Sequence, residues 1–338
     1  MRIAVLGAGG PAGVNWLRAL AQANHDLVAV DANETHLSWC EPFADTTVHA
    51  PDLTVELVNG LGADVVFAAP DRLVLWLAEH RPLIAAAMLL PTLDVIRLCQ
   101  NKRAAVNAWA AAGLRSPAVA VEEPFPDTLH EAKDRFGLPF WLRAVHGAGA
   151  KGATLVDDLR TGFHWLRYWQ TRGETIEWVA EEFLPGRDYA WTGIYQHGQL
   201  VTSFARERLE YIYPGLSPSG LTGTPTVARA VHDERVNEAA ERAVAVADPH
   251  PCGVYAVDLR ADISGVPTPT EINAGRGGTT TGLWSLQDGN FAHLAARLAD
   301  GDWSQTDLWP KRNAVTDGVE LRRHIDCEAV FVDALVAA

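Results

Sequence analysis

The first part of the chain, residues 1–98, alternates short apolar strands with helices, and this alternation limits the folds that it can adopt. The sequence predicts strands at Arg2–Leu6, Leu27–Val30 and Asp64–Ala68, and helices over Val14–Ala23 and through Ala78. Strands that are apolar on both faces and separated by helices are typical of a parallel sheet covered on both sides. We therefore expect an α/β domain at the start of the chain.

A glycine-rich loop, Gly7-Ala8-Gly9-Gly10-Pro11-Ala12-Gly13, joins the first strand to the first helix. Glycines here let the backbone approach a ligand phosphate at the helix N-terminus. Asp31, which ends the second strand, could hold a ribose hydroxyl, and the loop would then bind a nicotinamide cofactor. The alternative is a structural turn without a cofactor, because Ala12 breaks the G-x-G-x-x-G spacing and Pro11 lacks an amide donor.

Composition excludes several classes of protein. The 338-residue chain has a formal net charge of −14, from 28 Lys and Arg against 42 Asp and Glu, so nucleic acid is not expected as a general partner. Its longest apolar runs, such as Leu83–Leu90, are far shorter than the ~20 residues of a membrane span. The four cysteines are scattered, without Cys-x-x-Cys pairs, which favours a cytoplasmic protein.

Beyond the first domain, basic residues occur where they would suit an anion. Lys102 opens a helix, a position unfavourable for a cation unless it serves an anion; a solvated surface lysine is the alternative. Arg143 lies inside the apolar strand Phe140–Val145 and needs a partner such as a phosphate. The loop Gly147–Gly152 follows at once, and its backbone amides could close over phosphate oxygens.

A third segment combines an apolar strand with a Pro-Gly break. The predicted strand Trp178–Phe183 ends at Leu184-Pro185-Gly186, which leaves backbone groups that could pair with the edge of an adenine. Asp188 follows closely and could accept hydrogen bonds from ribose hydroxyls. This segment is therefore a candidate nucleoside-binding hinge.

A fourth segment carries oxygen ligands on two strands joined by a hairpin-like turn. Asp258 lies on the first strand, and Glu271 and Asn273 share one side of the second, because side chains alternate along a strand. Such ligands suit Mg²⁺ bridging nucleotide phosphates, and a polar surface hairpin is the alternative. Arg276 follows directly and could bind an acceptor carboxylate or a phosphorylated intermediate.

Taken together, these four segments resemble the motifs of the ATP-grasp superfamily, over roughly residues 100–300. The preceding domain resembles the Rossmann-like domain found before the ATP-grasp fold in members of the biotin carboxylase and carbamoyl phosphate synthetase type. The resemblance implies a Rossmann-like parallel sheet over residues 1–98 and a two-subdomain ATP-grasp fold over 99–300, with a lid at about 115–178. Residues 301–338 would form a tail packed on the ATP-grasp domain, with a helix expected near Val330–Val336.

The resemblance also implies roles for individual residues. Carried over position by position, they are phosphate cations Lys102 and Arg143, lid residues Gly147, Gly149 and Lys151, adenine hinge Glu181, Glu182 and Leu184, ribose ligand Asp188, metal ligands Asp258, Glu271 and Asn273, and catalytic Arg276 beside Lys102 and Arg143. Many members place the last arginine two residues after the asparagine, where this chain has Gly275, and Glu is commoner than Asp at position 188. Arg206 and Arg208 are further candidates, or else a salt-bridged strand end.

The activity implied by the resemblance is that of an ATP-dependent carboxylate–amine or carboxylate–thiol ligase. ATP with Mg²⁺, or Mn²⁺, would phosphorylate a small carboxylic acid, and an amine or other nucleophile would then displace phosphate from the acyl phosphate. The expected partners are these small molecules, without nucleic acid or membrane, and a homodimer is left open. The alternatives are an NAD(P)-dependent oxidoreductase that uses the first glycine loop, and a nucleotide-binding regulatory protein with a decayed site.

Overall fold

The structure is a computed structural model that describes residues 1–147, 149–150, 152–217, 219–220, 222–223, 225–325 and 327–333. It contains three sheets in chain order: a four-stranded parallel sheet, a four-stranded antiparallel sheet and a seven-stranded antiparallel sheet. The sequence predicts an α/β region followed by an α+β region, and the parallel strands at the start with antiparallel sheets after them confirm this fold class.

The first sheet has the strand order β3-β2-β1-β4. Its strands are β1 (Arg2–Leu6), β2 (Asp26–Asp31), β3 (Thr46–His49) and β4 (Val65–Ala68). The helices of this region are α1 (Pro11–Ala21), α2 (Glu34–Leu37), α3 (Val55–Gly60), α4 (Asp71–His80) and α5 (Leu93–Gln100). β1 and β4 are buried almost throughout, because helices cover both faces of the sheet.

The second sheet has the order β5-β8-β6-β7 and follows helix α6 (Lys102–Ala111). Its elements are β5 (Val119–Val121), α7 (Phe125–Phe136), β6 (Phe140–Ala144), β7 (Thr154–Val156), α8 (Leu159–Thr171) and β8 (Trp178–Glu182). α7 and α8 pack on one face of the sheet around Phe140, Leu142 and Leu166, so this region has a small core of its own.

The third sheet has the order β13-β12-β9-β10-β11-β14-β15. Its strands are β9 (Asp188–Gln196), β10 (Gln199–Tyr211), β11 (Pro225–Val231), β12 (Gly253–Ala261), β13 (Pro267–Ala274), β14 (Val319–His324) and β15 (Cys327–Asp333). The helices are α9 (Glu234–Ala247), α10 (Thr281–Trp284) and α11 (Phe291–Ala299). α9 begins at the cap Asp233, whose side chain accepts a hydrogen bond from the Arg235 amide.

The last part of the chain differs from the expectation of a helix near Val330–Val336. The described residues there belong to strand β15, which pairs with β14 in antiparallel fashion. A short apolar run fits a strand or a helix equally well, and pairing with a neighbouring strand decides between them. The residues from 334 onward lie outside the described part.

One large core joins the first region to the third sheet. Trp16 and Leu17 of α1 belong to the same buried cluster as Phe204 of β10, Trp284 of α10 and Phe291 of α11. The first region is therefore joined to the seven-stranded sheet through a core that includes helices α1, α10 and α11. Among the described helices, none combines the length and the apolar character that a membrane crossing requires.

Candidate active site

A cavity of about 230 Å³ lies between the second sheet and the seven-stranded sheet. All the predicted site residues that the structure describes line it, namely Lys102, Arg143, Gly147, Gly149, Glu181, Glu182, Leu184, Asp188, Asp258, Glu271, Asn273 and Arg276. Lys151, the remaining predicted residue, lies outside the described residues. Four segments that are distant in sequence therefore meet at one place.

Lys102 occupies the first turn of α6, directly after the capping residue Asn101. Its Nζ atom donates a hydrogen bond to the carbonyl of Gly147 at 2.5 Å and lies 3.7 Å from Glu271 Oε1. The cation at this helix start thus reaches the glycine loop on one side and a carboxylate on the other. Its side chain is largely buried, so a solvated surface lysine is not what the structure contains.

Arg143 lies at the centre of a buried row of alternating charges. Its Nε donates to Glu181 at 2.7 Å, and its Nη1 is 3.6 Å from Glu271. Arg115 closes the other end of the row, 2.9 Å from Glu181. Burial favours a higher pKa for Glu181, but the charges of Arg143 and Arg115 outweigh it and hold the pKa below its usual value. Sequence reasoning missed Arg115, which lies in the irregular connection before β5 without a periodic pattern.

The hinge segment uses its two glutamates inside the protein. Glu181 is held in the row of charges, and Glu182 accepts hydrogen bonds from the amide and hydroxyl of Ser116, at 3.0 Å and 2.7 Å. β8 ends at Glu182, and within the described residues no backbone partner is found for Phe183 or Leu184. Backbone groups at this break therefore remain available to the cavity, while the glutamate side chains position the segment.

Arg208 connects the predicted ribose ligand to a predicted metal ligand. Its Nη1 donates to Asp188 at 3.2 Å and its Nη2 donates to Asp258 at 2.6 Å. Tyr211 donates its hydroxyl to the second oxygen of Asp188 at 2.6 Å. Each oxygen of Asp188 thus accepts one hydrogen bond from the protein and keeps acceptor capacity for a ribose hydroxyl. Tyr211 carried no signal in the sequence, because the alternating pattern predicts a strand only over Leu200–Ala205.

The predicted metal ligands lie on the two strands β12 and β13. Asp258 and Glu271 face each other across the strand pair, and Asn273 lies two residues along β13. No group of three His, Cys, Asp or Glu side chains able to hold a metal occurs among the described residues. The donors present are two carboxylates and an amide oxygen, which fit a magnesium ion whose other ligands are phosphate oxygens and water.

Arg276 is fixed from both sides. Its Nη2 donates to Asn273 Oδ1 at 2.6 Å, and its Nε donates to Asp71 at the start of α4. The first domain therefore contributes a carboxylate that positions a site residue of the third sheet. Asp71 could not be found from sequence, because nothing in the chain around it indicates which surface it faces.

The first glycine loop is built differently. A Cβ atom on Gly7 would lie 2.5 Å from Pro70, one on Gly9 would lie 2.4 Å from His36, and one on Gly13 would lie 2.5 Å from the Ala8 carbonyl. Asp31 accepts hydrogen bonds from the amides of Gly9 and Asn33, both at 2.9 Å. The glycines and the carboxylate are thus engaged with the protein itself, which favours a structural turn.

Solved structures identify this fold as that of the ATP-grasp enzymes. N5-carboxyaminoimidazole synthetase from Staphylococcus aureus, complexed with ADP, matches with a TM-score of 0.70 and 19% identity, over 96% of this chain and 82% of that one. An L-amino acid ligase from Bacillus licheniformis matches with a TM-score of 0.68 and 16% identity, over 95% and 78%.

A third match includes a bound metal–nucleotide complex. The biotin carboxylase domain of 2-oxoglutarate carboxylase from Hydrogenobacter thermophilus, in complex with MgADP, ADP and bicarbonate, has a TM-score of 0.67 and 14% identity, over 94% of this chain and 73% of that one. No protein-family model and no curated protein sequence matches the chain. At these identities the likeness establishes the fold, and the two-subdomain ATP-grasp prediction is confirmed.

Proposed function

We propose that the protein is an ATP-dependent ligase that activates a small carboxylic acid as an acyl phosphate and joins it to an amine or another nucleophile. ADP and phosphate are the by-products. The observation that carries the proposal is the position of Glu271, which lies between Lys102 and Arg143 and opposite Asp258 in the cavity. Cations for phosphates and oxygen ligands for a divalent metal thus occur side by side, which phosphoryl transfer requires.

Lys102 and Arg143 would bind the phosphate oxygens of ATP. Gly147 and Gly149 border the same space, and a Cβ atom on either would meet nothing within 4 Å, so their backbones are open to a ligand. Both have positive φ angles, +113° and +69°, which glycine adopts without strain. The loop is therefore suited to lie over phosphates and exclude water from them.

Asp258, Glu271 and Asn273 would hold Mg²⁺, and Mn²⁺ accepts the same oxygen donors. When bound, the metal neutralises charge on the phosphates. The backbone at Phe183 and Leu184 would pair with the adenine. Asp188 is the candidate ribose ligand, and Arg208 and Tyr211 hold its carboxylate in place.

Arg276 would orient the acid. In the reaction, a carboxylate oxygen attacks the γ-phosphorus, and the bond from that phosphorus to the bridging oxygen breaks as ADP leaves. The nucleophile then attacks the acyl carbon, loses its proton and releases phosphate with the carboxylate oxygen attached. Arg276 is held by Asn273 and Asp71, so its guanidinium is already oriented for a carboxylate or an acyl phosphate.

The proposal is tested by following ADP release from the full chain with MgATP and a panel of small carboxylic acids, with hydroxylamine as the nucleophile. The expected result is acid-dependent ADP release, a hydroxamate product, and transfer of ¹⁸O from the labelled acid to phosphate. Release of AMP and pyrophosphate would show adenylation instead. Label that stays in the acid would exclude the acyl phosphate.

A further inference from the structure

Arg206 is a buried cation in the middle of the seven-stranded sheet. It lies on β10, and its neighbours across the two adjacent strands are Ala190 and Ala230. Only 2% of its surface is exposed, yet it lines the candidate active-site cavity together with Arg276 and Gly278. Its guanidinium therefore faces the cavity, and the side chains that flank it across the sheet are small.

Within the described part of the chain, no carboxylate lies at ion-pair distance from Arg206. Its Nη1 is 3.2 Å from the Thr192 hydroxyl, and its Nε is buried with no hydrogen-bond partner among the described residues. The Phe204 ring lies 5.1 Å from its guanidinium carbon, which is a weak substitute for an anion. Its neighbour Arg208 has two aspartates, and Arg276 has one.

A buried guanidinium without a counter-ion is unfavourable, because water is lost and no charge replaces it. Burial, reinforced by the nearby charge of Arg208, lowers the pKa of Arg206 to about 9, so the group is still charged at neutral pH. Such a group is stabilised when a bound ligand supplies the missing anion. In the described part of the chain the nearby carboxylate is Asp258, which is paired with Arg208 at 2.6 Å and offsets the effect of burial on Arg206 only in part.

The space next to Arg206 lies on the side of the cavity where Arg276 would bind the acid. A Cβ atom on Gly278 would lie 3.3 Å from Arg206 Nη2, so the glycine leaves room in front of the guanidinium. Gly278 is two residues from Arg276 and is followed by Thr279 and Thr280, which also line the cavity. The phosphate cations Lys102 and Arg143 belong to the row of charges around Glu271 instead.

We propose that Arg206 forms a second anion subsite, which holds a substrate carboxylate that is not phosphorylated. The inference rests on the proposed ligase function and narrows its substrate class: either the acid is a dicarboxylate, or the nucleophile is an amine that carries its own carboxylate. Both sources present the same group to Arg206, with the Thr192 hydroxyl beside it. Arg276 keeps the reacting carboxylate.

The test measures binding to the full chain in the presence of MgADP by calorimetry, with two matched pairs of probes. The affinities of succinate and butyrate are compared to find whether the acid carries the additional carboxylate. The affinities of L-alanine and L-alaninamide are compared to find whether the nucleophile carries it. The wild type should bind the member with the additional carboxylate at least about tenfold more tightly in one pair, which identifies the source. Equal binding within both pairs overturns the proposal.

Variants assign this discrimination to Arg206. Arg206→Met should abolish it, whereas Arg229→Met, a change on the neighbouring strand β11 to an arginine already paired with Glu320, should retain it. Arg206→Met should also melt at or above the wild-type temperature, because it removes an uncompensated buried charge, whereas a purely structural arginine would lower it. Discrimination that persists in Arg206→Met contradicts the subsite.

Gly278→Ala provides a second route if Arg206→Met does not fold. Its new methyl group would narrow the space before Arg206 while the charge remains, and discrimination should again be lost. The two proposals fail separately. If discrimination depends on Arg206 but no acid causes ADP release, the subsite proposal is supported and the ligase proposal is contradicted. If an acid causes ADP release but binding is equal within both pairs, only the subsite proposal is contradicted.

Discussion

The two glycine loops of this protein look alike in sequence and differ in what surrounds them. In the first loop, Gly7, Gly9 and Gly13 are required because other parts of the chain occupy the places where Cβ atoms would be. In the second loop, Gly147 and Gly149 border open space in the candidate active site. Glycine therefore permits close packing in one loop and leaves room for a ligand in the other.

The acidic residues near the two loops also differ in what they contact. Asp31 accepts hydrogen bonds from two backbone amides and holds the first loop in shape. Glu271, beside the second loop, lies at 3.6–3.7 Å from two cations, in contacts that are long enough to be exchanged for others. The carboxylate of Asp31 thus shapes its own loop, whereas that of Glu271 faces the cavity.

The largest expected effect comes from removing these two carboxylates. Glu271→Ala should lower ADP release by about a thousandfold, because charge neutralisation at the phosphates is lost. Its free energy of unfolding should change by about 1 kcal/mol at most, because the contacts of Glu271 are long, its side chain is 24% exposed, and Arg143 keeps its short contact with Glu181. Asp31→Ala should do the reverse, with about 1–2 kcal/mol lost from stability and unchanged ADP release per folded molecule. Urea unfolding and the ADP assay on both variants decide the matter, and matching profiles would refute the contrast.

The next effect is on stability alone. Gly13→Ala places a Cβ atom 2.5 Å from the backbone carbonyl of Ala8, which no side-chain movement can relieve. We expect a loss of about 3 kcal/mol in the free energy of unfolding, the upper end for overpacking. Denaturant titration measures it. A loss below 1 kcal/mol would mean that the first loop is not tightly packed.

Gly149→Ala is the matching change in the second loop. It meets no neighbour, but its φ of +69° disfavours a side chain, so we expect about 1 kcal/mol of destabilisation. ADP release should fall about tenfold, because the methyl group enters the space next to the phosphates. If activity per folded molecule is unchanged, this loop does not contact the nucleotide.

A smaller effect concerns the anchoring of the first domain. His25, just after α1, has its Nε2 atom 2.8 Å from Nδ1 of His293 on α11. Burial, followed by the nearby His293, lowers the pKa of His25 to about 4. Between pH 6.5 and 4 the unfolded chain binds a proton that the folded protein does not, so stability should fall as the pH falls.

The variant His25→Gln should therefore lose less stability between pH 7 and pH 5 than the wild type, by about 1 kcal/mol after allowance for solvent screening. His164→Gln, a change at an exposed position of α8, is the control and should behave as the wild type does. Melting temperatures at the two pH values provide the measurement. An unchanged pH profile would show that His25 takes up its proton in the folded state as well.

For nicotinamide cofactors we expect no binding at all. NADH and NADPH should show no saturable change in fluorescence with the wild type, because Asp31 and the glycines of the first loop are engaged with the protein. Micromolar binding that is abolished in Asp31→Ala would restore the oxidoreductase interpretation.

Local patterns explain which elements could be predicted from the sequence. The apolar run of Arg2–Leu6 predicts a strand, and the helical pattern of Glu234–Ala247 after the capping residue Asp233 predicts a helix. Both elements have these bounds in the structure. The alternating pattern of Leu200–Ala205 predicts a strand over those residues, and β10 runs on from there to Tyr211. Its last part is charged, and its arginine and tyrosine are accommodated by aspartates on other strands that a local pattern cannot reveal.

The site follows the same division. Residue types and their spacing predicted the carboxylates, cations and glycines of one site, and these residues line one cavity in the structure. Their individual roles stay predictions. Their partners were missed: Arg115 beside Glu181, Asp71 beside Arg276 and Tyr211 beside Asp188. These contacts depend on how separate regions pack, which no single segment of the sequence encodes.

The shared position of Glu271 links the two halves of the nucleotide complex. If the phosphates of the nucleotide bind Lys102 and Arg143, Glu271 loses its ion pairs with these two cations. If a metal ion binds Glu271 without the nucleotide, it lies close to the positive charges of Lys102 and Arg143 and is repelled by them. Under the proposed function, each ligand removes the electrostatic obstacle to the other. Nucleotide and metal should then bind with positive cooperativity, and thermodynamic reciprocity makes the gain in affinity equal for both.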